Sequence, residues 1–318
     1  MRILVTGASG YIGAQTCKAL SQYHEIVAVD RNTVKHNYFK EFYCEDYGSF
    51  EVQQLLLNID AVVHIGATSL VGPSVLDPSK YYKNNVVSTI ALLDACKAQG
   101  VKRVVFASSA ATYGEPKEDV CTESGQHEPV NPYGWSKRMT EIMLADYATA
   151  YGINSVSCRF FNVAGADLEG EFGQEKQATH IIAKIMELAL DNKEFTLNGD
   201  GFGTPDGTCV RDYVHVHDVA RGLGMALDFT ENNKGAFRFN MGNGKGYSNM
   251  DIINAVKEHT PLDPTYKVGP ARAGDPATLI ADSTLANRVL KWTPNYGLDT
   301  IVKTAYNYYI KNNKTSTS

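Results

Sequence analysis

Tyr133 and Lys137 stand four residues apart in the run Asn131-Pro132-Tyr133-Gly134-Trp135-Ser136-Lys137, a spacing that puts a phenol and an amine on one face of a helix. Asn131 suits the N-cap of that helix and Pro132 its first position. A tyrosine hydroxyl ionises at about 10 and is a poor base at neutral pH unless its phenolate is stabilised. A nearby ammonium favours the phenolate, and so does a positively charged nicotinamide ring. Ser109, in Ser108-Ser109-Ala110-Ala111-Thr112-Tyr113-Gly114, follows an apolar strand pattern and is placed to hydrogen-bond the same reacting hydroxyl. Alone, Tyr-x-x-x-Lys is more often an ordinary helix face. A serine at a strand end and a cofactor fingerprint upstream turn it into a candidate for proton transfer at an alcohol that loses hydride to a nicotinamide.

That fingerprint is Val5-Thr6-Gly7-Ala8-Ser9-Gly10-Tyr11-Ile12-Gly13, between a first strand pattern and a first helix pattern. Gly7 and Gly10 permit a tight turn and close approach of backbone to a pyrophosphate, and Gly13 lets helix and strand pack closely. The anion then meets free N–H groups at the positive end of the helix. Asp30 ends the second strand pattern, where a carboxylate accepts from an adenosine ribose and repels a 2′-phosphate. NAD is therefore expected over NADP. Arg31 and Asn32, directly after it, belong to the same expected cofactor contacts, although Arg31 offers the charge a 2′-phosphate would use. Asp46 either lies near the adenine or is a solvated turn residue. Gly66 and Ala67 end the fourth strand pattern with small side chains where backbone must approach the cofactor, or simply where strands pack.

Around these residues, short Ile/Val/Phe-rich runs at Arg2 to Thr6, Glu25 to Asp30, Ala61 to Gly66, Arg103 to Ser108 and Asn154 to Phe161 alternate with helical stretches such as Tyr11 to Gln22 and Ser79 to Ala98. The alternation predicts an α/β fold with a doubly wound parallel sheet of Rossmann type, covered by helices on both faces. In such a sheet ligands sit at the carboxyl ends of the strands. After Asn162 the pattern shifts to glycine-rich polar segments between helices at Thr179 to Leu190 and Asn249 to His259. A second, smaller mixed α/β domain for the substrate is expected over 163–318, with 1–162 binding the dinucleotide and a segment near 212–240 packing back on it. The helix Leu298 to Lys311 has an apolar face that covers core.

At 318 residues with 43% hydrophobic and 20% charged residues, the chain has enough apolar material for one large core or two smaller ones. The formal net charge of -5 leaves no broad basic field, so nucleic acid is not an expected partner. No apolar run approaches the ~18 residues of a membrane span, and the chain opens directly on a strand pattern without a leader. The six cysteines, Cys17, Cys44, Cys96, Cys121, Cys158 and Cys209, form no C-x-x-C pair and read as reduced thiols. A cytoplasmic protein without membrane contact is expected. His215 and His217 alternate on an apparent strand, but two imidazoles without a third ligand do not make a metal site, and no metal is expected.

The stretches TGASGYIG (6–13), SSAATYGEP (108–116), NPYGWSK (131–137), RFFNVAGA (159–166), DGTCVRDYVHVHDVA (206–220) and RAGDPA (272–277) occur in order along nearly the whole chain. Through them the sequence resembles the extended short-chain dehydrogenase/reductase family, and most closely its UDP-glucose 4-epimerase group. The resemblance implies that Tyr133 is the acid/base, that Lys137 holds the cofactor ribose and lowers the tyrosine pKa, and that Ser109 supports proton transfer. It implies cofactor contacts at Tyr11, Ile12, Asp30, Asp46, Tyr47, Asn84 and Phe161. For a UDP-hexose it implies Asn162, the backbone of Thr196-Leu197-Asn198, Arg211, Arg272 and Asp275, together with Ser109 and Tyr133 at the sugar hydroxyl. Two arginines agree with what a diphosphate needs, multi-donor cations in fixed positions. The resemblance also implies a homodimer through two helices of the first domain.

Two departures from the family pattern matter. Ser69 stands where many relatives carry a lysine near the cofactor. Leu279 stands where some relatives put a tyrosine beside the hexose, which leaves room for an N-acetyl group. The rival expectations are therefore a UDP-N-acetylglucosamine 4-epimerase, another UDP-sugar enzyme, and a catalytically silent NAD(P)-sensing regulator. Against a dehydratase, Ala110 and Ala111 stand where that group carries an acidic residue.

Overall fold

The computed structural model describes residues 1–118, 120–175, 179–271 and 275–314. Its strands are β1 (Arg2–Thr6), β2 (Glu25–Asp30), β3 (Glu41–Cys44), β4 (Ala61–His64), β5 (Arg103–Ser109), β6 (Val120–Cys121), β7 (Asn154–Phe160), β8 (Asn162–Ala164), β9 (Phe195–Asn198), β10 (Val210–His215), β11 (Ala236–Met241), β12 (Gly246–Ser248), β13 (Tyr266–Gly269) and β14 (Thr278–Ala281). The α-helices are α1 (Tyr11–Ser21), α2 (Phe50–Leu55), α3 (Val71–Leu76), α4 (Pro78–Tyr82), α5 (Ser88–Gln99), α6 (Pro132–Tyr151), α7 (Ile181–Leu190), α8 (Val216–Asn232), α9 (Asn249–His259), α10 (Thr284–Leu290) and α11 (Leu298–Lys314).

Seven strands form one sheet in the order β11-β7-β5-β4-β1-β2-β3, parallel at every pairing. Each strand turns alternate residues to opposite faces, and both faces are buried. Ile3, Val5, Ala28, Val63, Val105 and Val156 pack with Cys17 and Leu20 of α1 and with Val219, Leu223 and Leu227 of α8. Leu4, Val27, Val62, Val104 and Phe106 pack with Val52, Leu92, Leu93 and Leu144 from the helices of the other face. This two-sided burial is why the strands read as continuous apolar runs. Truncating Leu4, which is fully buried, costs about 2–5 kcal/mol through lost transfer energy and the cavity left behind.

The strand order reverses between β1 and β4, which opens a crevice at their carboxyl ends. On the far side of β5, the chain leaves the large sheet at Phe160 and enters a small one at Asn162. That second sheet runs β12-β10-β14-β6, with β8 pairing β10. Through α8 and β11 the chain returns to the large sheet, where β11 pairs β7. The second core gathers Ile182, Ile185, Met186, Tyr213, Ile252, Val256, Ile301 and Val302 from α7, β10, α9 and α11.

Two elements differ from the sequence reading. The helix expected over Ser79 to Ala98 is broken by a π-helical turn at Lys83–Val87 between α4 and α5, because Asn84 and Asn85 turn inward and spend their amides on Thr68 and Ser136. His215 and His217 do not alternate on a strand. β10 ends at His215, whose Nδ1 accepts the His217 N–H at 3.1 Å and caps α8. The remaining differences are end positions, such as α7 starting at Ile181 and β4 stopping at His64.

Candidate active site

The glycine turn is built by contact. Gly7 has φ 72°, and a Cβ on it would lie 2.7 Å from the backbone N and Cα of Gly66, so the turns after β1 and β4 touch. A Cβ on Gly13 would stand 1.9 Å from the Gly7 carbonyl oxygen, so α1 is seated on the turn with its first N–H groups facing the crevice mouth. Gly10 is the N-cap of α1 and offers no side-chain cap, which leaves those donors to an anion. Tyr11 donates its hydroxyl to the Gly165 carbonyl at 2.7 Å, and Ile12 packs on the core below.

Asp30, at the end of β2, accepts the Ser9 N–H at 3.0 Å and the Asn32 N–H at 2.9 Å, one on each oxygen. Each oxygen keeps a free lone pair for a vicinal diol. Arg31 faces Asp46 at 3.9 Å, and Asp46 also accepts the Gly48 N–H at 2.8 Å. Thus Arg31, next to Asp30 in the chain, already has a carboxylate opposite it. Tyr47 lies over Gly66, whose absent Cβ would be 3.0 Å from its ring, and donates its hydroxyl to the Asn84 carbonyl. Asn84 is buried, and its Oδ1 has no hydrogen-bond partner among the described residues. A buried acceptor left open costs about 1–3 kcal/mol, and a donor on a bound dinucleotide would satisfy it. The residues present fit such a group.

At the catalytic end, the Asn131 side chain accepts the Gly134 N–H at 2.8 Å and caps α6. A Cβ on Gly134 would lie 2.4 Å from the Ala111 carbonyl oxygen, so α6 starts pressed on the turn after β5. This brings Tyr133 to Ser109. Ser109 Oγ accepts the Ala111 N–H at 3.1 Å and lies near enough to the Tyr133 hydroxyl to draw its pKa down. Lys137 is buried; its Nζ donates to the Ala107 carbonyl at 2.7 Å, 4.6 Å from the Phe106 ring centre and 5.9 Å from that of Tyr133. The grouping of Ser109, Tyr133 and Lys137 follows the spacing.

The charges do not follow it. Burial is the main influence on the Tyr133 phenol and raises its pKa; Ser109 pulls it down, and Tyr81 adds to the rise. Burial also lowers the Lys137 ammonium to about 7, against an opposing pull from Glu141. The Lys137 charge is not among the influences that move the phenol.

Sequence reasoning missed the groups underneath. Glu141, one turn beyond Lys137 on α6, is fully buried with Arg159 of β7, in paired contacts of 2.8 and 2.7 Å. Ser108 donates to the same carboxylate at 2.7 Å. Burial disfavours the ionised Glu141, but the Arg159 hydrogen bonds and charge outweigh it and hold the carboxyl below the usual range. Arg159 also reaches the Tyr113 hydroxyl at 2.9 Å, and Tyr113 donates to Asn240 at 2.5 Å. A signal was present: a glutamate at i+8 from the tyrosine and an arginine inside an apolar strand must pair if both are buried.

On the other side of the crevice, Asn162 starts β8 one residue past Phe161, and β8 pairs with β10 at Tyr213. Arg211 of β10 lies 3.8 Å from Asp275 and donates to the Val210 carbonyl at 2.8 Å. Thr196, Leu197 and Asn198 sit on β9, in register with Lys267, Val268 and Gly269 of β13. Arg272 falls outside the described residues. Leu279 pairs with Arg211 across β10 and β14 and packs on a small apolar cluster of Ala110, Tyr113, Cys121, Phe161 and Ala281. It therefore connects the Arg211 strand to the turn after Ser109. Asp167, Glu169 and Glu171 gather around Lys18 Nζ at 3.1, 2.7 and 3.4 Å, so the chain supplies its own cation there. All six cysteines are free thiols. Among the described residues no helix is long and apolar enough to cross a membrane.

Known proteins resemble this chain over nearly its whole length. The UDP-glucose 4-epimerase of Lacticaseibacillus casei is 39% identical over 320 residues, covering 97% of each chain. The structure of a UDP-glucose 4-epimerase from Stenotrophomonas maltophila with bound NAD and formylated UDP-arabinopyranose superposes with a TM-score of 0.94 at 31% identity, over 99% of both chains. That of the UDP-Glc/GlcNAc 4-epimerase from Campylobacter jejuni does so with a TM-score of 0.83 at 35% identity, over 98% of this chain and 99% of that one. Residues 3–242, which span the glycine turn, the Tyr133–Lys137 helix and the returning strand β11, match the NAD dependent epimerase/dehydratase family, and this chain belongs to it.

Proposed function

We propose that the chain is an NAD-dependent UDP-sugar 4-epimerase that interconverts UDP-galactose and UDP-glucose through a transient 4-keto sugar. The observation that carries the reading is the meeting of Ser109, Tyr133 and buried Lys137 at the carboxyl end of β5. NAD, held by the Gly7–Gly13 turn, Asp30 and Asn84, would supply the hydride acceptor and donor together with a positive charge. Tyr133 takes the proton of the sugar 4-hydroxyl and returns it after the sugar has turned over. Ser109 donates to the same oxygens. Lys137 holds the cofactor ribose with the N–H donors it does not spend on the Ala107 carbonyl. Arg211 and Arg272 hold the diphosphate, Asp275 orients Arg211, and the β9 backbone at Thr196 to Asn198 with Asn162 frames the rest of the nucleotide. Binding energy from the nucleotide keeps the substrate in place while the hexose rotates. Residues 1–162 with the returning α8 and β11 form the cofactor unit, and the remainder of 163–318 forms the sugar-nucleotide unit.

The raised Tyr133 pKa supports a base that is inactive until a cation arrives. Purified protein incubated with UDP-galactose and no added cofactor is expected to yield UDP-glucose. A sample carrying NAD that turns over no UDP-hexose would favour the silent regulator instead. A second reading, acceptance of N-acetylated UDP-hexoses, is supported by Leu279 beside the Ala110–Phe161 cluster and by the likeness to the Campylobacter jejuni protein. Equal assays on UDP-glucose and UDP-N-acetylglucosamine separate the two. We further infer a cytoplasmic homodimer acting in galactose metabolism. The free thiols are consistent with a reducing compartment, and Val87, Ile90, Trp135, Met139 and Ile142, on or next to α5 and α6, are exposed apolar side chains of the kind found at interfaces.

A further inference from the structure

His64 ends β4, is 2% exposed, and has no part in the chemistry described above. Its hydrogen bonds can be given a direction. Thr6 Oγ1 accepts the Ile65 N–H at 3.1 Å and shares the Gly66 N–H, also at 3.1 Å, with the Thr6 carbonyl. A hydroxyl has two acceptor sites and one proton, so the Thr6 proton is left for its third partner, His64 Nδ1, at 2.7 Å. Nδ1 is thereby an acceptor without a proton. The ring proton is on Nε2, which donates to Thr89 Oγ1 at 2.9 Å. Thr89 in turn reaches the Asn85 carbonyl at 2.8 Å. The Asn85 amide, at the centre of the π turn, donates to Ser136 Oγ at 2.9 Å and to the Thr68 carbonyl at 2.9 Å, and its Oδ1 accepts the Thr68 N–H at 2.8 Å. Ser136 donates to the carbonyl of Tyr133 at 2.7 Å.

We propose that His64 is a positioning residue for the reaction: held as the Nε2–H tautomer, it joins the backbone of the cofactor cradle at Gly66 to the backbone of Tyr133 through Thr6, Thr89, Asn85 and Ser136. This rests on the epimerase reading for its kinetic consequence, but not for its structural one. The π turn is explained by the same chain, since the extra residue in that turn is what carries Asn85 to Ser136. Two titratable groups face the imidazole. Tyr47 packs on it edge to face, with ring centres 4.7 Å apart, and Lys137 lies beyond Phe106, which stacks on the imidazole at 5.6 Å. Burial first, and then the Lys137 charge, push the imidazole down to about 3. It therefore stays neutral wherever the enzyme works, and the chain of bonds keeps one direction.

The test has two parts that fail separately. In 15N-histidine-labelled wild-type protein, His64 should show a protonated Nε2 and a bare Nδ1, unchanged between about pH 5.5 and 8.5. An imidazolium in that range, or an Nδ1–H tautomer, overturns the proposal whatever the protein catalyses. In kinetics, His64→Leu removes both bonds and should lower kcat by about tenfold or more while the KM for the UDP-sugar stays within about threefold, because a misplacement of ~1 Å can cost about a hundredfold. His64→Gln, which keeps a donor near the Nε2 position, should recover part of the loss. Thr89→Val, a smaller change, should lower kcat in the same direction and serves if His64→Leu does not fold. An unchanged kcat in these variants, or a loss lying wholly in KM, overturns the proposal. A wild-type protein without turnover would instead count against the epimerase reading, and the 15N result would still stand or fall alone.

Discussion

Replacing Lys137 with methionine should make the protein more stable and less active, and the gain should depend on pH. The ammonium is 3% exposed, and its pKa falls from the ordinary 10.5 to about 7 because burial outweighs the pull of Glu141. The folded state therefore binds this proton more weakly than the unfolded chain does. Below about pH 7 both states carry the proton, and the folded state bears the whole penalty, on the order of 5 kcal/mol at 1.36 kcal/mol per pH unit. As pH rises from about 7 towards 10.5, the folded state has already lost the proton while the unfolded chain still holds it, and the penalty declines. It is about 2 kcal/mol at pH 9 by the same relation. Methionine keeps much of the stem's packing and has no charge, so Lys137→Met removes the penalty at the cost of the bond to the Ala107 carbonyl, about 1 kcal/mol. Urea unfolding of both proteins, freed of nucleotide, should show the variant ahead by several kcal/mol at pH 6, with the lead about 3 kcal/mol smaller at pH 9. The difference between the two pH values does not depend on the lost hydrogen bond. A lead that is flat across that range, or a variant less stable at pH 6, refutes the claim that the lysine is held against its own solvation.

Tyr133→Phe should lower kcat by about 10²–10⁴-fold with little change in UDP-sugar KM, measured by steady-state epimerisation, since it removes the proton carrier and leaves the nucleotide contacts. Gly13→Ala should yield protein with little bound nucleotide and a lowered Tm, because the added methyl would lie 1.9 Å from the Gly7 oxygen and must push α1 off the turn; nucleotide released on denaturation and the melting curve report both. Glu141→Gln should destabilise the fold by about 3–5 kcal/mol in urea by leaving Arg159 buried without its partner, and it should move the alkaline fall of kcat/KM to lower pH as Lys137 loses the group that supports its charge. Ile142→Glu, at an exposed apolar position of α6, should convert the proposed dimer to monomer in sedimentation velocity without changing the urea midpoint by more than the loss of association accounts for.

The parts of the fold legible in the sequence are those set by short-range patterning. β1 and β2 are legible because an apolar run stops at a glycine turn in one case and at Asp30 in the other, while the start of α9 is fixed by a capping box between Ser248 and Asp251 in its first turn. The π turn was invisible because hydrophobic period tolerates one extra residue, and what fixes the turn is Asn85 reaching Ser136, fifty-one residues away. His215 and His217 read as a strand because valine alternates with histidine there, and a histidine side chain capping a helix is outside the usual cap residues. The Glu141–Arg159 pair joins α6 to β7, which the sequence separates by eighteen residues.

Residue spacing placed Tyr133 beside Lys137 and said nothing about the charge either would carry, because charge is decided by what excludes water. Here Lys137 is buried beside the Phe106 ring, and Tyr133 is half-buried at the turn after β5. Burial pushes the phenol up and the ammonium down, and both shifts favour the neutral forms. The proposed reaction needs a phenolate next to an ammonium, and neither is favoured alone here. Supplying a positive charge beside Tyr133 stabilises the phenolate, and the phenolate then restores the charge on Lys137. In the proposed reaction an oxidised nicotinamide bound there would make the two ionisations favourable together and so would tie proton abstraction to the presence of the hydride acceptor.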